Sequence, residues 1–156
     1  MFMNIWGKIK AVGDFSSSYL LLVIRLYWGY QFAITGFGKL THLGDIANYF
    51  QSLGIPFPML NATLAGCTEM IGGCLLFFGL FSRIAAIPLL GVLTVAYLTA
   101  ESDSLVILLN TLDPTQFFSR TPFLFAYGTL VVFCFGPGKV SIDYFLSGAY
   151  KTRTMP

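Results

Sequence analysis

The sequence predicts an all-α fold: an integral membrane four-helix bundle with short interfacial helices. Of its 156 residues, 56% are hydrophobic and only 10% are charged, whereas soluble domains carry roughly 25% charged residues. The mean hydropathy is +0.74, and long apolar segments recur along the chain. The first three of these segments reach the ~17–25 residues that a helix needs to cross a hydrocarbon core of ~30 Å.

Four apolar segments are the predicted membrane helices. They cover about residues 19–40, 58–81, 84–100 and 122–135. The first is too long for a cleaved signal peptide and contains Arg25. The fourth is short, and we expect it to start earlier or to run to Gly136. Thr121 and Pro122 form a good helix start, because a hydroxyl caps free amides and proline fits the first helical position. The short turn FSR makes the second and third helices antiparallel neighbours.

The segments outside these helices are predicted to lie at the membrane surface. Residues 1–18 group apolar side chains with two lysines, which favours a cytoplasmic amphipathic segment over a frayed tail: Ile5, Trp6, Ile9, Val12, Lys8 and Lys10. The stretch HLGDIANYFQSLG has apolar residues at helical spacing and predicts a short interfacial helix. The 101–121 connection is long for a structureless loop and is expected to dip into the interface. We therefore divide the chain into residues 1–18, a membrane domain over 19–146 and a cytoplasmic tail over 147–156.

The distribution of basic residues predicts the orientation in the membrane. If both termini are cytoplasmic, the inner side receives Lys8, Lys10, Arg83, Lys139, Lys151 and Arg153, and the outer side receives Lys39 and Arg120. Lysine and arginine concentrate in the cytoplasmic loops of membrane proteins. We therefore expect a multi-pass protein of a bacterial-type inner (plasma) membrane, with both termini in the cytoplasm.

The composition argues against several classes of function. The net charge is only +2 and the basic residues are scattered, so no basic patch predicts a nucleic-acid partner. His42 is the only histidine and no CxxC motif is present, which predicts neither a metal site nor a redox dithiol. Cys67, Cys74 and Cys134 lie in apolar runs and are interpreted as packing residues. The sequence has no flavin or haem motif, so neither a cofactor nor a self-contained redox centre is evident.

Glu69 is the exception in the apolar stretch AGCTEMIGGCLLFFGLF. At 1.5 Å per residue it lies about 12–17 Å from the start of its helix, which is close to the membrane midplane. An unpaired charge at this depth costs at least ~2.5 kcal/mol. Glu69 must therefore face the bundle, be protonated or have a partner.

The first predicted helix supplies the candidate partners. One stripe of this helix contains two cations and two glycines: Arg25, Gly29, Phe32, Gly36 and Lys39. Arg25 and Glu69 form either a structural pair between two helices or the polar wall of a cavity for a small ligand or a proton. Gln31, which is matched to Glu69 in depth, is a secondary ligand contact. Lys39 is another, unless its side chain simply extends to the outer surface.

Taken in order, these residues resemble the signature of the DoxX family. The first helix reads R-x3-G-x2-F-x3-G-x2-K, and GIP follows at residues 54–56. Next come E-x2-G-G, which starts at Glu69, and GLFSRIAA, which contains Arg83. GPGKVSID, which ends at Asp143, resembles the closing segment of the family. The resemblance covers about residues 19–146, and it marks Arg83 and Asp143 as motif positions on the inner side.

The resemblance implies a four-helix membrane bundle and a link to redox physiology. Related DoxD-type proteins form a membrane part of thiosulfate:quinone oxidoreductase, and other relatives are associated with thiol or quinone stress. The family likeness therefore implies a membrane subunit that supports quinone- or thiol/sulfur-linked redox chemistry. A quinone is then the candidate ligand, and a soluble or membrane oxidoreductase is the candidate partner.

Two alternatives stay open at this point. In the first, the chain is a small-solute or proton transporter. In the second, it docks a soluble oxidoreductase at the membrane, which would place its function in Arg83 and the closing segment rather than in the bundle. No catalytic residue is predicted in any of these cases. Four short helices leave large apolar faces for membrane lipid or for a homo-oligomer.

Overall fold

A computed structural model describes the backbone of residues 2–153 and the side chains of residue 13 and residues 16–147. Over this range the chain is almost entirely helical and contains no strand. The helices are α1 (Phe2–Thr41), α2 (Leu43–Ser52), α3 (Pro58–Phe78), α4 (Ser82–Thr99), α5 (Ser102–Thr111), α6 (Thr115–Ser119), α7 (Thr121–Phe135) and α8 (Ile142–Arg153). The predicted all-α membrane bundle is confirmed.

Three helices are long and apolar enough to cross a membrane. They are the part of α1 over Ser16–Thr41, the whole of α3 and the whole of α4. The fourth apolar segment forms α7, which begins at Thr121, where the Thr-Pro start signal lies, and has Gly136 as its C-terminal cap. With 15 residues it is about 22 Å long, shorter than the ~30 Å hydrocarbon core.

The first helix is longer than the sequence predicts. The sequence divides the chain near residue 18, but α1 continues without a break from Phe2 to Thr41. No proline interrupts this stretch, and Gly13 alone only weakens a helix. The side chains of the predicted amphipathic face at Ile5, Trp6, Ile9 and Val12 lie outside the described residues, as do those of Lys151 and Arg153.

Four helices form a closed ring. α1 packs on α3, α3 on α4, α4 on α7, and α7 on α1. The core at the centre of this ring consists of Phe32, Leu76, Leu89, Leu93 and Val132, with Ile24, Phe125 and Ala126 packed against it. The shorter α7 therefore completes the bundle as its fourth side.

The two ends of the bundle carry different structures. At one end, called the α2 end below, α2 packs on α3 and α1, and α5 and α6 connect α4 to α7. The Tyr97 hydroxyl donates to the Phe117 carbonyl at 2.9 Å, and Arg120 pairs with Glu101 at 3.2 Å. At the other end, the α3–α4 turn meets residues 136–143, called the closing segment below. The predicted helix over residues 42–54 is thus α2, and the long 101–121 connection contains α5 and α6.

Glycines bring the backbones of α1 and α3 into contact. A Cβ atom on Gly29 would lie 2.6 Å from the amide nitrogen of Phe77, and one on Gly73 would lie 2.5 Å from that of Ala33. A Cβ atom on Gly36 would overlap the amide nitrogen of Met70. Small residues permit this close approach between membrane helices. The glycines of the predicted stripe therefore face α3 and not lipid.

This contact predicts that two neighbouring glycines of α1 differ sharply in their tolerance of a methyl group. Gly36→Ala forces α1 and α3 apart, and overpacking of this kind costs roughly 1–3 kcal/mol. Gly38→Ala is the matched control, because a Cβ atom there meets nothing within 4 Å. Thermal unfolding of both variants in the same detergent should give a clearly lower midpoint for Gly36→Ala alone. Equal midpoints would contradict the close packing of the two helices.

Candidate functional site

Glu69 finds its partner in Lys39. Lys39 Nζ lies 2.5 Å from Glu69 Oε1, and the Glu69 side chain is only 5% exposed. Among the described residues, Glu69 makes no ion pair with Arg25. The side chain of Lys39 is 26% exposed, and its ammonium is directed at Glu69. The partner that Glu69 requires is therefore present, but it is the residue that the sequence ranks second.

The direction of side chains on antiparallel helices explains this pairing. A side chain on an α-helix tilts toward the helix N-terminus. Lys39, near the C-terminus of α1, therefore tilts into the membrane, and Glu69 on the antiparallel α3 tilts toward the α2 end to meet it. Arg25, like Lys39, tilts toward the N-terminus of α1, which directs it toward the closing segment and away from Glu69. The expected proximity of Arg25 and Glu69 is wrong for this reason, and the stripe on α1 separates its two cations by about 21 Å.

A cavity of about 480 Å³ opens above the ion pair. It lies between α2 and α4, with α3 as its floor, and Lys39 and Glu69 form its polar end. Apolar and small residues line the rest almost completely, including Ile46, Tyr49, Phe50, Leu53, Leu64, Pro88, Gly91, Val92 and Val95. Leu64 and Val95 at its rim are half exposed on the outside of the bundle. The cavity is therefore open toward the surface that faces lipid.

One carboxylate oxygen of Glu69 is left without a partner. Glu69 as a whole is 4% exposed, and its Oε2 is buried without a hydrogen bond. A buried acceptor with no donor costs about 1–3 kcal/mol, and more when it is charged. The ammonium of Lys39 has three N–H donors, of which one is directed at Oε1. The polar end of the cavity thus offers both an acceptor and donors.

Arg25 binds two carbonyls of the closing segment at the opposite end of the bundle. It is 2% exposed and donates from Nη1 to the Pro137 carbonyl at 3.1 Å and from Nη2 to the Val140 carbonyl at 2.7 Å. A Cβ atom on Gly79 would overlap Nη1, so the guanidinium is packed tightly against the end of α3. Its Nε has no partner, but no described cavity reaches it. Arg25 holds the closing segment and does not line the cavity.

Asp143 completes this contact from the closing segment. Its carboxylate accepts from the amides of Phe81 at 2.8 Å and Ser82 at 3.1 Å, which are free at the start of α4. Its own amide donates to the Gly79 carbonyl at 2.9 Å, and its charge acts on Arg25. Phe81 has a positive φ of 48°, a conformation that disfavours residues other than glycine. Asp143 therefore stabilises a strained turn.

The other predicted site residues lie outside the cavity. The Arg83 side chain is exposed and makes one long hydrogen bond to the Cys134 carbonyl, at 3.4 Å. Gln31 is half buried and does not line the cavity. Of the four predicted ligand contacts, the structure brings together only Lys39 and Glu69.

The cysteines are not core residues. Cys74 and Cys134 are exposed on the outside of the bundle and Cys67 is half buried, so the interpretation of all three as packing residues was wrong. All three thiols are free. Among the side chains that the structure describes, no group of three metal-ligating residues comes together.

Sequence reasoning missed the walls of the cavity. Tyr49 and Phe50 belong to the predicted interfacial helix, and the sequence analysis assigns no function to Pro88, yet all three line the cavity. The pattern of α2 could have identified its wall, because the apolar face of an amphipathic helix must cover something. Gly91 follows Pro88 by less than one turn, and two weak helix formers on one side of α4 could have indicated an unfilled space.

Comparison with known proteins places this chain in a family. The model of the DoxX family matches residues 20–102. A Haemophilus influenzae protein named "Uncharacterized protein" is 25% identical over 94% of this chain and 94% of its own length. "Putative oxidoreductase CatD" of Bacillus subtilis is 32% identical over 67% of this chain and 86% of its own. "Inner membrane protein YphA" of Escherichia coli is 37% identical over 44% of this chain and 49% of its own. No solved structure gives a significant match.

The contacts of Arg25 predict that replacing it lowers the stability of the fold and does not change the affinity for a ligand of the cavity. Arg25→Met leaves the carbonyls of Pro137 and Val140 without their donor, which costs about 1–3 kcal/mol for each buried acceptor. The detergent-solubilised variant should melt at a clearly lower temperature, and trypsin should cut faster after the exposed Lys139 of the released closing segment.

Arg83→Met is the matched control, because its side chain is exposed and its hydrogen bond is long. We expect its stability to stay within about 0.5 kcal/mol of the wild type. If Arg25→Met melted like the wild type and lost a cavity ligand instead, Arg25 would belong to the ligand site.

Proposed function

Because the chain belongs to the DoxX family of membrane proteins, we propose that it is a membrane subunit of quinone-linked redox chemistry. In this proposal the cavity between α2 and α4 holds the quinone ring, and Lys39 and Glu69 bind its polar groups. One observation carries the proposal: a buried ion pair with an unpartnered carboxylate oxygen lies at the polar end of an otherwise apolar cavity.

The shape and lining of the cavity favour a ring with an apolar body. Sites for small molecules typically measure about 300–1,000 Å³ and are mostly apolar, with a few convergent polar groups. The cavity of about 480 Å³ falls in this range. A small sulfur anion or thiol would satisfy the ion pair but leave the walls of Phe50, Leu64 and Val92 uncovered. A quinone has oxygens at the ends of a flat ring and an apolar substituent, and it matches both parts of the cavity.

The proposal requires a partner that supplies electrons. Among the described residues, no dithiol and no group of metal ligands comes together, so this chain is assigned binding and positioning and not electron storage. A soluble or membrane oxidoreductase is the proposed partner. The name of the Bacillus subtilis relative, which refers to an oxidoreductase, is consistent with this class of chemistry.

Internal contacts argue against a function of the closing segment in docking. Asp143 caps α4 and Arg25 binds two carbonyls of the segment. Groups that are used for internal hydrogen bonds are not available to a partner. The motif position Asp143 is therefore explained by the fold, whereas the exposed Arg83 is not, and the partner is expected at surfaces outside these internal contacts.

The proposed location is a bacterial inner membrane, with both termini in the cytoplasm. The name of the Escherichia coli relative refers to that membrane. Arg83 and Lys139 lie at the closing-segment end, where α1 also begins, and an excess of basic residues marks the cytoplasmic side. This end is thus the proposed cytoplasmic end, and the cavity belongs to the outer half of the membrane.

Cysteine labelling of intact spheroplasts tests this orientation. In a cysteine-free background, Asp113→Cys at the α2 end should react with a membrane-impermeant maleimide from outside. Lys139→Cys should react only after permeabilisation. Both positions are exposed, so the reverse pattern would invert the topology.

Filling the cavity tests the ligand. A Cβ atom on Gly91 meets nothing within 4 Å, and Gly91 lines the cavity, so Gly91→Leu occupies the space without disturbing the ion pair. We expect purified wild-type protein to bind decyl-benzoquinone in equilibrium dialysis and Gly91→Leu to bind it at least ten times more weakly.

Gly13→Leu is the matched control, because Gly13 lies on α1 outside the cavity and its Cβ also meets nothing within 4 Å. Its affinity should equal that of the wild type. Saturable binding that Gly91→Leu leaves unchanged would place the ligand elsewhere, and the absence of any saturable binding by the wild type would reject the proposal.

A further inference from the structure

We propose that the cavity binds the reduced, dihydroxy form of its ligand, the hydroquinone, more tightly than the quinone. This inference rests on the proposed function and adds a choice between two redox states. It follows from Glu69, which lines the cavity: its Oε1 is paired with Lys39 Nζ, and its Oε2 is buried without a partner.

The unpartnered oxygen requires a donor. An ionised carboxylate accepts hydrogen bonds and has none to donate, and Lys39 Nζ lies at hydrogen-bond distance from the other oxygen, Oε1. A quinone carries only carbonyl acceptors. Placed against Oε2, it would set acceptor against acceptor and leave a buried charged oxygen unsatisfied. A hydroquinone has an O–H group that donates to Oε2.

Lys39 can donate a hydrogen bond to the oxygen of the same hydroxyl. Two of its N–H donors are not used by Glu69 Oε1, and a phenolic oxygen that donates its proton still has lone pairs to accept with. One hydroxyl can therefore bridge Lys39 and Glu69. A quinone carbonyl can use only Lys39, so it makes one charge-assisted hydrogen bond where the hydroquinone makes two.

The other polar groups of the cavity lining do not select one redox form: the Thr99 hydroxyl donates to the Val95 carbonyl at 2.8 Å, and the hydroxyls of Tyr49 and Thr68 can both donate and accept. Asn61 donates to the Pro56 carbonyl at 2.6 Å and is partly exposed. Of the side chains with a buried, unpartnered polar atom over the described range, which are Arg25, Glu69 and Ser82, only Glu69 lines the cavity. The carboxylate is therefore the group that distinguishes the two forms.

A preference for the reduced form has a consequence for redox chemistry. Tighter binding of the product of reduction makes the bound quinone a better electron acceptor. For a two-electron couple, a tenfold preference raises the midpoint potential by about 30 mV. The bound couple therefore favours a reaction in which the partner oxidoreductase gives two electrons to the quinone, and two protons from the medium complete the hydroquinone.

The test compares three ligands on the full-length purified protein under anaerobic conditions. They are decyl-benzoquinone, its hydroquinone, and the dimethyl ether of that hydroquinone, which has the same ring but no O–H donor. Equilibrium dialysis should give a dissociation constant at least tenfold lower for the hydroquinone than for the quinone. The dimethyl ether should bind no better than the quinone.

Glu69→Gln provides a second measurement. Its amide can donate to a quinone carbonyl, and its neutral oxygen is a weaker acceptor for a hydroquinone than a carboxylate, so the ratio of the two dissociation constants should fall to about one. If the wild type binds both forms equally, or if the dimethyl ether matches the hydroquinone, this inference is overturned while the proposed function stands. If none of the three ligands binds, both fail.

Discussion

The antiparallel contact between α1 and α3 is the constraint from which the rest of the structure follows. Gly29 and Gly36 meet Gly66 and Gly73 so closely that the two backbones touch. This contact fixes the register of the helices, and the register fixes which charges can meet. Since side chains tilt toward the N-terminus of their own helix, one register brings Lys39 to Glu69 and sends Arg25 to the opposite end.

The same contact places Arg25 and the Lys39–Glu69 ion pair toward opposite ends of the bundle. Buried charges in membranes are costly, and they are usually functional. Arg25 shows that a cost of this kind can be offset by the fold alone, because two carbonyls of the closing segment accept its hydrogen bonds. Glu69 has one oxygen paired with Lys39 and the other buried without a partner. Arg25 Nε is also buried without a partner, so the difference between the two residues is that Glu69 lines the cavity and Arg25 does not.

The sequence predicted the architecture well because its signals are local. Apolar length and the cap at Gly136 define the helices, and the glycine stripe defines the face of α1 that packs. The predicted hydroxyl cap at Thr121 is wrong, because Arg120 is the N-terminal cap of α7 and no side chain hydrogen-bonds there. The sequence also identifies the charged residues of both contacts, which are Arg25, Lys39, Glu69 and Asp143, but it predicts Arg25 as the partner of Glu69 in place of Lys39. Depth along each helix was estimated from where the apolar segments begin, but α1 runs without a break from Phe2 and crosses α3 at a register that only the packed glycines set. The cavity walls on α2 and α4 leave only weak signals in the sequence, since a void depends on how far apart the helices lie.

The access route determines which part of the cavity provides selectivity. Leu64 and Val95 at the rim are half exposed on the surface that faces lipid, so an apolar ligand can enter from the bilayer without crossing water. Such a ligand leaves an environment as apolar as the cavity walls, and little hydrophobic free energy is gained on entry, as with helices that associate in lipid. The walls then decide only whether a ligand fits. Its affinity, and the choice between related ligands, must come from hydrogen bonds to Lys39 and Glu69, whose strength is increased by the low local dielectric.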